Sequence, residues 1–170
     1  MKQVRESRFG SGLEIREDKQ DGSVGTITGY AAVFASPSQD LGGFVETIRA
    51  GAFSKSLSRG DDIRALVGHD TSLILGRRSA KTLEIGEDEK GLWVRIHMPD
   101  TQLGRDTLTS VKRRDLTGQS FAFETVEDEW RKETKDGVSV WRRDLIEANL
   151  FEISIVSFPA YEQTSADARS

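Results

Sequence analysis

Apolar positions along this chain fall into short runs of period two, broken by Gly and by charged turns, which is the pattern of strands. Residues 13–16 and 25–35 begin it, the second run carrying Ile27, Tyr30, Ala32, Val33 and Phe34 before the turn Ser36-Pro37-Ser38. Residues 43–48 are a weaker apolar stretch. Phe53 and Leu57, four apart, predict one face of a short helix after Gly51-Ala52. Residues 63–67 and 72–75 read as two strands with Gly68-His69-Asp70 between them, so His69 is expected at a strand end or on the connection. Residues 82–85 and 92–98 predict a hairpin. In its second strand Leu92, Val94 and Ile96 alternate with Trp93, Arg95 and His97, which turns His97 away from the aliphatic face.

A helix is predicted over residues 101–113, capped by Asp100, with Leu103, Thr107, Leu108 and Val111 on one side and basic residues in its last turn. After Asp115-Leu116-Thr117-Gly118 come a strand over 120–126, a charged hairpin over 127–141 turning at Asp136-Gly137, and a last strand over 150–158 that Pro159 stops. No internal repeat interrupts this order. The reading is one β-rich α+β domain over residues 1–162, with 163–170 a polar tail expected to be mobile.

Composition narrows the chemistry. With 170 residues, 36% hydrophobic and 31% charged, the chain is long and apolar enough to fold without disulfides. A net charge of -4 offers no general field for phosphate, so nucleic acid is not an expected partner. No stretch has signal-peptide or membrane-span character, and a soluble intracellular chain is expected. Zero cysteines exclude thiol nucleophiles and thiolate zinc sites, and two histidines cannot supply three His ligands. The acidic runs Glu87-Asp88-Glu89 and Glu127-Asp128-Glu129 lack metal-loop spacing and read as solvated turns, so no metal or cofactor is expected.

Hydroxyl nucleophiles, carboxylates and histidine remain. In Gly118-Gln119-Ser120-Phe121-Ala122-Phe123 a strand would put Ser120 on a bare face with Gly118 and Ala122, and the bulky residues on the other. A serine so placed can meet a substrate chain, although a buried or edge serine has the same pattern. It lacks the Gly after the nucleophile that a nucleophile elbow requires. A serine attacks only when a base of near-neutral pKa takes its proton, which leaves His69 or His97. The Gly-flanked position favours His69. Asp70 is its neighbour but points to the opposite face of an extended chain. Glu152 interrupts the otherwise apolar run Leu150-Phe151-Glu152-Ile153-Ser154-Ile155-Val156, and a buried carboxylate needs a partner: His69, or an Arg or Lys in a structural pair.

Taken in order, several segments resemble the prohead proteases of tailed phages. They are Gly29-Tyr30-Ala31-Ala32-Val33-Phe34, Glu46-Thr47-Ile48-Arg49-Ala50-Gly51-Ala52-Phe53, Leu66-Val67-Gly68-His69-Asp70, Leu75-Gly76-Arg77, Asp88-Glu89-Lys90-Gly91-Leu92, Leu116-Thr117-Gly118-Gln119-Ser120-Phe121-Ala122-Phe123, and the run from Leu150 through Pro159-Ala160. Each is weak alone; their shared order is not. The resemblance implies Ser120 as nucleophile, His69 as base and Glu152 as third member, the last being where the similar herpesvirus assemblins use a second His.

It further implies a closed antiparallel β-barrel surrounded by a few helices. The implied activity is that of a serine endopeptidase acting on the scaffold segment of the major capsid protein precursor and on itself. It would work inside the assembling prohead in the host cytoplasm, with a homodimer expected by analogy with assemblins. Two rivals stand beside this: a noncatalytic barrel with Ser120, His69 and Glu152 spread apart, serving as scaffold or binding module, and a serine hydrolase acting on esters.

Overall fold

The computed structural model of the chain describes residues 5–10, 12–16, 20 and 22–157; the expected polar tail and the stop at Pro159 lie outside them. The strands are β1 (Arg5–Gly10), β2 (Leu13–Arg16), β3 (Ser23–Val33), β4 (Phe44–Ile48), β5 (Arg64–Val67), β6 (Asp70–Arg77), β7 (Leu83–Glu87), β8 (Gly91–Pro99), β9 (Gly118–Lys135) and β10 (Val138–Val156). Helix α1 (Ser54–Ser58) follows β4, and helix α2 (Gln102–Lys112) follows β8.

The strands form two sheets. One has the order β1-β9-β10-β5-β6, with β4 also on β10; the other has the order β2-β3-β8-β7. The predicted turn Asp136-Gly137 joins β9 to β10, both residues at positive φ (54° and 78°), the combination that a two-residue hairpin turn matching strand twist requires. β10 is long enough to receive β4 in parallel along Trp141–Leu145 and β5 in parallel along Glu152–Ile155, while β9 covers its other edge.

Among the described residues the expected closed antiparallel barrel does not form. Both sheets are open and the larger is mixed, because β10 carries two parallel partners in addition to its antiparallel hairpin mate. Alternation in a sequence reports which face of a strand is buried, and says nothing about whether the last strand returns to the first.

The apolar faces of the two sheets share one core. Ile27, Leu92, Val94 and Ile96 of the smaller sheet join Phe121, Phe123, Leu150 and Ile153 of the larger, with Phe53 edge-on to Phe121 at 5.6 Å between ring centroids. Helix α2 lays Leu108 and Val111 onto this core. Its cap is Thr101, whose hydroxyl accepts from Gly104 N at 3.0 Å, and not the expected Asp100, which pairs with Arg105. Thr101 has the extended backbone of a cap residue (φ -129°, ψ 167°), so its side chain reaches back to the third helical N–H.

β1 carries no strand pattern in its sequence. Beside it lies a buried ionic cluster in which Arg143, 5% exposed, donates to Glu6 (2.7 Å), Asp128 (2.8 Å), Thr125 (2.6 Å) and Glu46 (3.2 Å). Arg8 donates to Glu46 at 2.7 Å. Burial, the largest influence on Glu6, pushes its carboxyl up. The hydrogen bonds from Arg143, Thr125 and Arg8, with the Arg143 charge, outweigh it and hold the group at about 2. Asp128, expected in a solvated turn, belongs to this cluster. Glu87, expected in the same setting, accepts from Phe53 N and Ser54 Oγ at the start of α1.

Candidate active site

Ser120 sits on β9, directly opposite Ser154 of β10. The predicted alternation holds: Phe121 and Phe123 enter the core and Ser120 lies on the other face of the sheet. Ser120 is fully buried.

His69 reaches that face from the far side of β10. Gly68 and His69 form the two-residue turn between β5 and β6, with φ of 59° and 60°. The left-handed region is free for Gly and tolerated by only a few per cent of other residues, His among those enriched there. Two bonds from β10 secure the turn: Gly68 N donates to Ile155 O at 2.9 Å, and His69 N donates to Ser154 Oγ at 3.0 Å. Since β5 runs parallel to β10 with Leu66 opposite Ser154, the imidazole crosses above Ser154 to come within 2.8 Å of Ser120 Oγ through Nε2.

Glu152 is brought to the same face by an irregularity. The β9–β10 register shifts between Leu150 and Glu152, so one extra residue of β10 is accommodated there. Such a bulge reverses which side chains face the core. Leu150 is a core residue before it, and Ile153 and Ile155 are core residues after it, which leaves Glu152 and Ser154 on the side of Ser120. Glu152 Oε1 is hydrogen-bonded to His69 Nδ1, and Oε2 accepts from Ser154 Oγ at 2.7 Å.

The hydrogen bond from Glu152 is the main cause that raises the His69 pKa above its ordinary 6.5; desolvation works against it, and the carboxylate charge adds to the rise. With Nδ1–H donating to Glu152, Nε2 is left as the acceptor for the Ser120 hydroxyl, the tautomer a general base needs. A third of the His69 side chain is exposed, so a proton on it has a route outward.

The other candidates lie elsewhere. Asp70 accepts from Ser72 N and Oγ and does not hold His69. His97 is on β8 in the smaller sheet, with Nε2 2.8 Å from Glu84 Oε2. Glu152 pairs with His69 and, among the described residues, with no Arg or Lys. The rival arrangement with the three residues spread apart is not the one adopted. One site residue is missed by the sequence pattern: Ser154, whose only signal is its position two residues from Glu152 on an alternating strand.

The family model described as caudovirus prohead serine protease matches residues 11–170. The chain belongs to that family. Ser120, His69 and Glu152 all lie within the matched residues, whereas β1 up to Gly10 precedes them. The chain has no match among curated proteins or solved structures.

Proposed function

We propose that this prohead protease is a serine endopeptidase that trims the scaffold segment of the immature capsid protein and its own chain, through Ser120, His69 and Glu152. The observation that carries the reading is the continuous hydrogen-bonded series Ser120 Oγ, His69 Nε2, His69 Nδ1, Glu152 Oε1 on one face of one sheet. Ser120 Oγ attacks the scissile carbonyl while His69 Nε2 takes its proton. Glu152 supports the resulting imidazolium, and His69 then protonates the leaving amine. Water, deprotonated by the same imidazole, attacks the acyl carbon, and the imidazolium passes that proton to Ser120 Oγ as its ester C–O bond breaks. Ser120 is fully buried, so a peptide reaches its hydroxyl only with a rearrangement around the residue. Action inside the assembling prohead, in the host cytoplasm, follows from the same reading. Trimming of purified capsid precursor, compared between wild type and Ser120→Ala, tests it: the variant is expected to leave the precursor intact, and trimming at the wild-type rate would sink it.

A further inference from the structure

We infer that Ser154 is a positioning residue for the proposed centre, one hydroxyl that sets both the histidine and its carboxylate. The inference rests on the assignment of His69 and Glu152 made above.

Ser154 stands between the two sides of the site. On β10 it lies directly opposite Ser120 on β9 and opposite Leu66 on β5, so His69, just beyond the end of β5, spans the width of β10 to meet Ser120. Neighbouring strands are about 4.8 Å apart, and the imidazole has room to cross only if the side chain beneath it is short. Ser154 is short, and it is buried at 3% exposure.

Its hydroxyl is also engaged both as donor and as acceptor. The O–H donates to Glu152 Oε2 at 2.7 Å, and a lone pair accepts His69 N–H at 3.0 Å. A serine hydroxyl has one donor and two acceptor sites, so both bonds form at once. The first leaves Oε1 of the same carboxylate facing Nδ1. The second holds the backbone of a residue whose φ of 60° few non-glycine residues adopt. Ser154 therefore fixes the two ends of the His69–Glu152 contact without touching the reacting atoms. Alanine in its place keeps the space but leaves Glu152 free to turn and the His69 N–H without an acceptor.

The surroundings of His69 make the consequence readable. Among the described residues Glu152 is the charged group bonded to it. Asp70, next in the chain, is turned to Ser72; Arg64, opposite Glu152 on β5, lies near Asp62. The chain has two histidines, and His97 on the other sheet serves as an internal reference.

The test is an NMR titration of both imidazoles in wild type and Ser154→Ala, together with peptide cleavage kinetics. In the variant the His69 midpoint is expected to move down while that of His97 stays, with kcat falling on the order of tenfold to a hundredfold and KM nearly unchanged. An unmoved His69 midpoint, or both histidines moving alike as in general loosening of the fold, would overturn the proposal. The titration does not depend on peptidase activity. If Ser120→Ala still trimmed precursor, the proposed function would fall while the His69 result still judged Ser154.

Discussion

Replacing Glu152 with Gln removes one charge from the site and almost no volume. In the native protein Glu152 accepts on both oxygens, from His69 Nδ1–H and from Ser154 Oγ. Gln has one acceptor and one donor at those positions. If its oxygen faces His69, its NH₂ faces Ser154, whose hydroxyl must then rotate to find another acceptor. If it flips, the NH₂ meets Nδ1 and favours the tautomer that cannot receive the Ser120 proton. Either way the imidazolium formed during attack loses its counter-charge.

The sign of the pH effect follows from the causes acting on His69. Its pKa is raised above 6.5 first by the Glu152 hydrogen bond and also by the Glu152 charge, against desolvation, which lowers it. Gln has no charge and at best a neutral acceptor for Nδ1–H, so both causes that raise the pKa weaken against desolvation and the pKa falls from its wild-type position. A base must be neutral to work, so the acid limb of kcat/KM is expected at lower pH in Glu152→Gln than in wild type. The plateau falls by about a hundredfold to ten-thousandfold, the range seen when a general base or its orienting carboxylate is lost. The same linkage gives a stability signature. A histidine with a raised folded pKa stabilises the protein fully below its unfolded value, and that contribution fades as pH rises through the folded pKa. The assay is a pH series of peptide cleavage by both proteins. An acid limb that stays in place or moves upward would refute the reasoning.

Two further perturbations test the frame around the site. Arg143→Met strips the buried cluster of its central cation and leaves Glu46, 2% exposed, with Arg8 alone, so a loss of about 3–5 kcal/mol is expected in denaturant unfolding; a loss below about 1 kcal/mol would contradict it. Because Glu6 is held at about 2, its stabilisation is present above 4.5 and is lost as pH falls toward 2, and this acid sensitivity should shrink in the same variant. Gly68→Val forces a β-branched residue to a φ of 59° at the turn that carries His69. It should cost about 1–2 kcal/mol in stability. It should also lower kcat by on the order of a hundredfold through misplacement of the base; unchanged kcat in a folded protein would contradict the role given to that turn.

Much of this arrangement is legible in the amino-acid sequence. Alternation delimits residues 13–16, which form β2, and the Asp-Gly pair marks the 136–137 turn. Residue type and local pattern make Ser120, His69 and Glu152 candidates among others, and the resemblance to prohead proteases chooses them; the fold hydrogen-bonds His69 to each of the other two. What stays hidden depends on pairing between distant segments. Arg5–Gly10 is too polar to announce a strand, and it becomes one only because β9 offers an edge and Arg143 and Glu46 bind its charges. Burial of Glu46 and Arg143 is invisible in runs that look half charged. The bulge at Leu150/Glu152 is what turns Glu152 toward Ser120, and period-two alternation assumes no bulge. Ser154 has no distinction until the register sets it between Ser120 and the turn of His69. Barrel closure fails for a related reason, since the parallel ladders on β10 leave no trace in the alternation of either partner.

The most direct test of the central claim is incubation of purified capsid precursor with wild type, Ser120→Ala and His69→Ala, followed by intact-mass spectrometry of the products. The account predicts discrete loss of the scaffold segment with wild type and an uncut precursor with either variant. Equal trimming by Ser120→Ala, or by His69→Ala at unchanged pH dependence, would contradict it.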